Sequence, residues 1–372
     1  SSLIFININK LFKFIKVRSA VNMLQLNYHK VFKERSIHMK VITYSSMKDF
    51  IDDTLELLLK DEAVNQLLIF TALSKKDLAT NDTLHAGKVI DENNEVSLIF
   101  LNSQPYNLLA YTPNETINVD AVKLLAEYLV NNNIRIYGIN ACKTISETFI
   151  RYYKKLTKAN FTEHLAMDIM ELSEVNDIIL PEGNFRQATL EDLPLLSKWF
   201  CQFSLDATNE LIDISIASSF MKEKISHGLV YIFENKNKQA VSMAAATRQL
   251  QNGICINLVY TDEAFRKKKY GSAVVFNLSK LLLQSGNKFC TLCVDKSNQI
   301  SNRFIEKLVI KYLIIVMIFD LINITIGKEM VRYPLLCHAN FIIDFIIFSY
   351  LFPHMVVFLI HSYKQVLLSY LH

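Results

Sequence analysis

Apolar residues along this chain recur in two alternating rhythms. In "SMKDFIDDTLELLLKDEAVNQLLIFTAL" (46–73) they return every three or four positions, with Leu55, Leu58 and Leu59 on one stripe, which predicts a helix buried along one face. Two dense apolar runs follow, "EVSLIFLN" and "YNLLAYT", split by Ser-Gln-Pro, and predict two strands around a turn. "NVDAVKLLAEYLVNNN" returns to helical spacing, with Asn118 or Asp120 as its cap and the Asn run as its stop. "IRIYGIN" predicts a strand. "TISETFIRYYKKLTK" predicts a helix that Thr144 and Glu147 open at capping-box spacing.

A second series of elements begins after "DIMEL" and the Pro181-Glu-Gly183 turn. "NFRQAT" is a short strand, and "LEDLPLLSKWFCQFS" and "NELIDISIASSFMKEKIS" are two helices. "GLVYIFEN" and "QAVSMAAATRQ" form a hairpin around Lys236-Asn-Lys238. "GICINLVYT" is a strand feeding the basic loop Arg266-Lys-Lys-Lys-Tyr-Gly271. The next helix carries Val274, Val275, Leu278, Leu281 and Leu282 on one face. The strand "KFCTLCVD" and the helix "NQISNRFIEKL" close the series. The expected organisation is therefore two α/β units, 39–180 and 181–310, between a leader (1–38) and an apolar tail (311–372).

The two ends stand apart in composition. Residues 5–40 are rich in Lys and Arg, with Glu34 the lone acid, and lack the cleavage site of a signal peptide. In the tail, "YLIIVMIF" and "FIIFSYLFPHMVVFLI" each fall short of the roughly 20 apolar residues that span a membrane. A membrane anchor is the alternative if the tail is genuine protein.

Composition narrows the function. With 372 residues, 51% apolar and 20% charged, the chain is long and apolar enough for two cores. A net charge of +4 is too mild to imply nucleic acid, and "RKKK" has only Phe265 and Tyr270 beside it as stacking partners. The six Cys are scattered through apolar runs, as in reduced, cytoplasmic proteins. The CxxC of Cys290 and Cys293 lies in a strand, where its two ends face opposite sides, so no metal site is expected there.

The basic loop carries the chemistry. A strand, a turn of exposed amides and a helix N-terminus make an anion site, because unpaired N–H groups and the helix dipole both favour phosphate oxygens. Arg266 and the three Lys add charge, and Gly271 allows close approach of the backbone. The bland alternative is a solvated basic turn.

The order of elements decides between them. Residues 185–308 resemble the GNAT superfamily of N-acetyltransferases, whose fingerprint R/Q-x-x-G-x-G/A appears as Arg266-Lys267-Lys268-Lys269-Tyr270-Gly271. Asp295, Asn298, Ser301 and Asn302 match a second pattern of such enzymes, D-x-x-N-x-x-S-N. Residues 39–175 resemble more loosely the degenerate N-terminal half of two-part members. The resemblance implies an α/β (α+β) fold with a mixed, mostly antiparallel sheet flanked by helices. It also implies acetyl transfer from acetyl-CoA, as co-substrate, to a small-molecule or peptide amine, with no nucleic acid and no metal. The amides from Lys267 to Ser272 would hold the pyrophosphate. Leu258, Val259 and Tyr260 would pair with the pantetheine arm, an amide near Val259 would polarise the thioester, and Asn298 would reach the pantetheine.

The departures are as informative. Lys269 stands where the family has Gly, so its Cβ either crowds the site or its amine turns outward to a phosphate. Ile305 stands where a Tyr protonates the leaving thiolate. The candidate bases, Glu210, Asp213 and Glu263, are each expected to be exposed, and a water chain is the alternative. Read one base out of frame with A/T-rich codons, "LVIKYLIIVMIFD" restores the family's missing Gly-Tyr. Residues beyond about Leu308 are therefore expected to be out-of-frame or intron-derived. Two other outcomes follow from these breaks: a pseudoenzyme that keeps the coenzyme, or a membrane-anchored binding module.

Overall fold

The computed structural model describes residues 39–296 apart from Glu115, Asp177 and Asn209, and residues 311–326 and 329–332. The N-terminal half runs β1 (Lys40–Thr43), α1 (Met47–Leu59), α2 (Gln66–Ser74), β2 (Leu84–Ile90), β3 (Val96–Ser103), β4 (Leu108–Tyr111), α3 (Val119–Asn131), β5 (Gly138–Cys142), α4 (Lys143–Thr157) and β6 (Asn160–Leu172). The C-terminal half repeats the order: β7 (Gly183–Gln187), α5 (Leu193–Thr208), α6 (Ile214–Ser226), β8 (Val230–Asn235), β9 (Ala240–Gln249), β10 (Gly253–Thr261), α7 (Tyr270–Gln284) and β11 (Phe289–Asp295). Then come β12 (Lys311–Ile326) and β13 (Glu329–Arg332).

The caps explain where several helices start. Ser46 accepts from the Asp49 amide, and Asn118 accepts from the amides of Asp120 and Ala121. Thr189 and Asp192 form a reciprocal capping box just before α5. Two expectations fail locally. The run 46–73 is two helices, because residues 60–65 leave the helix and Glu62 turns to accept from Asn252 N (3.0 Å) and Nδ2 (2.8 Å) in the other half. Thr144 does not cap α4: Cys142 is the N-cap without a side-chain bond, and Glu147 instead pairs with Lys143.

Thirteen strands form one sheet among the described residues, in the order β1-β2-β3-β4-β5-β12-β6-β11-β10-β9-β8-β7, with β13 on β12. It is mostly antiparallel. The parallel pairs are β4 with β5 and β10 with β11, one in each half. The two halves exchange their last strands. β6, from the first half, pairs with β11 from Cys290↔Leu172 to Asp295↔Met167. β12 crosses back and pairs with β5 from Val316↔Cys142 to Asp320↔Gly138, and β6 and β12 pair with each other. Residues 311–326, set apart above as tail, thus run through the middle of the sheet, between two strands of the first half.

Helices cover both faces. In the first half α3 and α4 bury Leu125, Leu129, Ile145 and Phe149 on one face, and α1 and α2 bury Phe50, Leu58 and Ile69 on the other. In the second half α7 buries Val274 and Leu278 on one face, while α5 and α6 bury Phe200, Phe220 and Met221 on the other. Leu321 of β12 joins the core under α3 and α4, and Ser146 Oγ donates to Met317 O at 3.3 Å. Asp320, buried in β12, accepts from Asn107 Nδ2 at 3.0 Å and faces His164 Nδ1 at 3.3 Å. No helix among the described residues is long and apolar enough to cross a membrane.

Ile318, 3% exposed, pairs with Asn140 of β5 and Leu165 of β6, in the strand by which the chain returns from the second half to the sheet of the first. Ile318→Ala is expected to cost about 3 kcal/mol, the cavity term included. Urea unfolding followed by the fluorescence of Trp199, the single tryptophan, and by far-UV circular dichroism should shift together in one transition. Separate shifts for the two probes would show that β12 does not couple the halves.

Candidate active site

The site begins with a fault in the sheet. β10 and β11 pair in parallel only from Gly253↔Phe289 to Ile256↔Leu292. On the other side of β10 the ladder to β9 slips between Asn257 and Tyr260. Leu258 lies at the slip with φ +53, in the left-handed region, and its N–H donates to its neighbour Asn257 Oδ1 at 2.8 Å instead of to the ladder. Its side chain, fully buried beneath α5 and α6, anchors the kink. Beyond this point the two strands part, and a cavity of about 1360 Å³ opens between them. Val64, Gln66 and Leu67 near the start of α2, with Leu165 and Met167 of β6 and Val316 of β12, complete its wall from the first half.

The basic loop stands at one mouth of this cavity. Asp262 caps a short 3-10 turn at Glu263–Phe265. Lys267 (φ +64) and Lys269 (φ +65) both take the left-handed conformation, and Lys269 is the N-cap of α7 with no side-chain cap bond. The first helical backbone bond at this end runs from Ala273 N to Lys269 O, 3.0 Å. The amides from Lys267 to Ser272 therefore have no acceptor among the described residues, and no acid occupies the first turn of α7. A Cβ on Gly271 would come within 2.9 Å of Thr261 Oγ1, so the helix starts against β10 only because that residue is Gly. The result is a row of unpaired donors at a positive helix end, a place for an anion.

The loop's charges are divided in their roles. Arg266 turns away from the amides: its Nη2 meets Asp206 Oδ2 at 2.6 Å, its Nε donates to Thr261 O at 3.1 Å, and its guanidinium lies over the Tyr260 ring. Lys268 folds back, Nζ to Ala264 O at 3.3 Å, over the Phe265 ring. Lys267 and Lys269 are exposed and line the cavity. Tyr270 packs between Phe233 and Phe265. Sequence spacing singles out Lys269 as the position that wants Gly; the backbone adds Lys267 as a second one.

Of the residues expected to bind a coenzyme, Val259, Tyr260, Arg266, Lys267, Lys269, Tyr270, Gly271 and Ser272 line the cavity, whereas Leu258 and Lys268 do not. Asn298, Ser301, Asn302 and Ile305 lie outside the described residues. None of the three expected bases is on the wall. Glu210 is buried, contrary to expectation. Asp213 caps α6, and bonds from the Ser215 hydroxyl and amide hold its carboxyl below the usual range. Glu263 is exposed on the 3-10 turn. The wall's carboxylates are Asp206, engaged by Arg266, and Asp295. Sequence reasoning missed Gln66, Asn140, Arg248 and Cys293. The one available signal was Arg248, a lone charge in the small-residue strand "AVSMAAATRQ". Burial pushes the Cys293 thiol up to about 12, which keeps it protonated.

Residues 196–309 match the acetyltransferase (GNAT) family model. A Drosophila protein of known structure superposes with a TM-score of 0.50 at 10% identity, over 76% of this chain and 98% of its own, so the fold is shared. A GNAT-family acetyltransferase from Colwellia psychrerythraea gives 0.48 at 10% identity, over 76% and 99% of the two chains. A GCN5-related N-acetyltransferase from Sphaerobacter thermophilus gives 0.48 at 11%, over 76% and 95%. No curated protein matches the sequence.

A lysine at φ +65 is strained where glycine is not. Lys269→Gly is therefore expected to raise unfolding free energy by about 1 kcal/mol despite the entropy glycine adds to the unfolded chain. The midpoint of urea unfolding checks this. An unchanged or lower midpoint would mean that the surroundings compensate for the left-handed backbone.

Proposed function

We propose, on the premise that residues 196–309 are a GNAT acetyltransferase domain, that the cavity takes acetyl-CoA and the protein moves its acetyl group to an amine. The observation that carries this reading is the row of acceptorless amides, Lys267 to Ser272, at the mouth of a cavity between two parting strands. A pyrophosphate there would satisfy several donors at once, with Lys267 and Lys269 neutralising charge from the rim. The pantetheine arm would lie along the β10 edge left free where its pairing to β11 ends after Ile256, as a peptide adds to a strand.

The chemistry then needs little more than alignment. The acceptor nitrogen attacks the thioester carbonyl carbon, and the Val259 amide steadies the oxyanion that forms. The carbon–sulfur bond breaks as the amide forms. The amine's proton leaves through water, and the coenzyme departs as its thiol. Water suits this role because Asp206 is already tied to Arg266 and Asp295 stands at the outer end of β11. A second reading, coenzyme binding without transfer, rests on Ile305 at the place where the family resemblance puts an acidic tyrosine.

Isothermal calorimetry with acetyl-CoA is the direct test, followed by thiol release across a panel of amines. Gly271→Val should weaken acetyl-CoA about tenfold or more, because the added carbons crowd Thr261 and displace the start of α7. Failure of the unmodified protein to bind at millimolar coenzyme would end this reading. Binding without thiol release would favour the second.

A further inference from the structure

The wall of the cavity holds a buried cation. Arg248, near the end of β9, is 8% exposed and lies on the cavity wall. It pairs across the ladder with Cys255, which pairs in turn with Thr291 of β11, so the three side chains share one face of the sheet. Gln66, the first residue of α2, lies over that face. Its Oε1 accepts from Arg248 Nε (3.4 Å) and Nη2 (3.2 Å), while its Nε2 reaches Thr291 Oγ1 (3.2 Å) and Cys293 Sγ (3.4 Å). Nη2 also donates to Cys255 Sγ at 3.3 Å.

No carboxylate in this cluster offsets the charge; burial works against the charged form, and the Cys255 and Cys293 sulfurs beside the guanidinium favour it. The guanidinium stays ionised at every accessible pH. The Gln66 amide is neutral and Cys293 is held as a thiol. Among the described residues no carboxylate pairs with Arg248, and its Nη1 has no partner. A cation taken out of water without a counter-ion is costly, so a supporting fold retains one where a ligand brings the opposite charge. The brace from Gln66 takes up Nε and Nη2 and fixes the plane of the guanidinium, which leaves the two N–H groups of Nη1 to donate charge-assisted bonds to an anionic oxygen. This is a separate place from the basic loop. Arg248 is level with Cys255, and the loop follows Thr261, on the far side of the kink at Leu258.

We propose that Arg248 receives a carboxylate of the acceptor, so that the substrates are amino acids or other amines bearing an acid within short reach, rather than neutral amines or polyamines. The assignment rests on the acyl-transfer reading above. The carboxylate takes no part in bond making. It anchors the acceptor while the amine nitrogen gains the acyl carbon, loses its proton to water, and the coenzyme leaves as thiol.

The probes are glycine, serine, glutamate and phenylalanine, each beside its α-amide. Binding is measured by calorimetry to the full chain, with and without saturating coenzyme A, and turnover by thiol release from acetyl-CoA. At least one acid should bind and react about 100-fold better than its amide. Arg248→Gln should erase that preference while leaving acetyl-CoA affinity in place, and Arg248→Lys should keep a part of it. If Arg248→Gln fails to fold, Arg248→Lys carries the comparison. Equal behaviour of every acid and its amide in the unmodified protein overturns the proposal, as does a preference that survives both substitutions. Succinyl-CoA with a neutral amine is the control arm. If it outruns acetyl-CoA only when Arg248 is present, the carboxylate belongs to the acyl donor and the assignment to the acceptor is wrong. Absence of acetyl-CoA binding would strike the acyl-transfer reading instead, and the acid–amide comparison without coenzyme would still be decided.

Discussion

Everything at this site depends on one slipped ladder. Had β9 and β10 stayed in register past Asn257, β10 would have kept its parallel pairing to β11 and the sheet would have no opening. The slip is held by a left-handed Leu258, an unfavourable conformation for a branched side chain, secured by its burial under α5 and α6 and by the Asn257 side chain. A local cost in backbone energy is offset by core packing a layer away. The cavity, the freed strand edge and the exposed start of α7 all follow from it.

The two halves share an order of elements but not a function, and the difference is legible at the helix that follows each parallel strand. In the first half Asn118 caps α3 with its own side chain, and Asp120 adds a negative charge to the first turn. An anion would find the donors taken and the field reversed. In the second half Lys269 offers no cap and the first turn of α7 carries no acid. The first half acts instead as wall. Its α2 brings Gln66 to Arg248, and its β6 forms one side of the gap.

Much of the fold was legible in the sequence because its signals are local. Helical stripes, the Lys236-Asn-Lys238 turn and the strand–loop–helix around Gly271 depend on neighbours a few residues apart. What escaped was set by distant contacts. The break at residues 60–65 answers to Asn252, and the cluster of Gln66, Arg248 and Cys293 is gathered from three elements far apart in the chain. The apolar run at 312–319 carries no period that separates a tail from a strand buried between two others, so only pairing with β5 and β6 could reveal it. That the candidate bases lie off the cavity wall was hidden for a similar reason: an acid at a helix start has the composition of a surface group whether it caps, as Asp213 does, or waits for a substrate.

The exchange of β6 and β12 also dictates an order of assembly. As the chain leaves the ribosome, β6 emerges with both edges bare, since its partners β11 and β12 are made far later. The first half cannot seal its sheet until the last strand returns to β5. Through most of its synthesis the nascent protein thus presents open strand edges, the surfaces from which chains recruit one another into aggregates. A cell making this protein needs to shield those edges until β12, made late, fills the gap between β5 and β6.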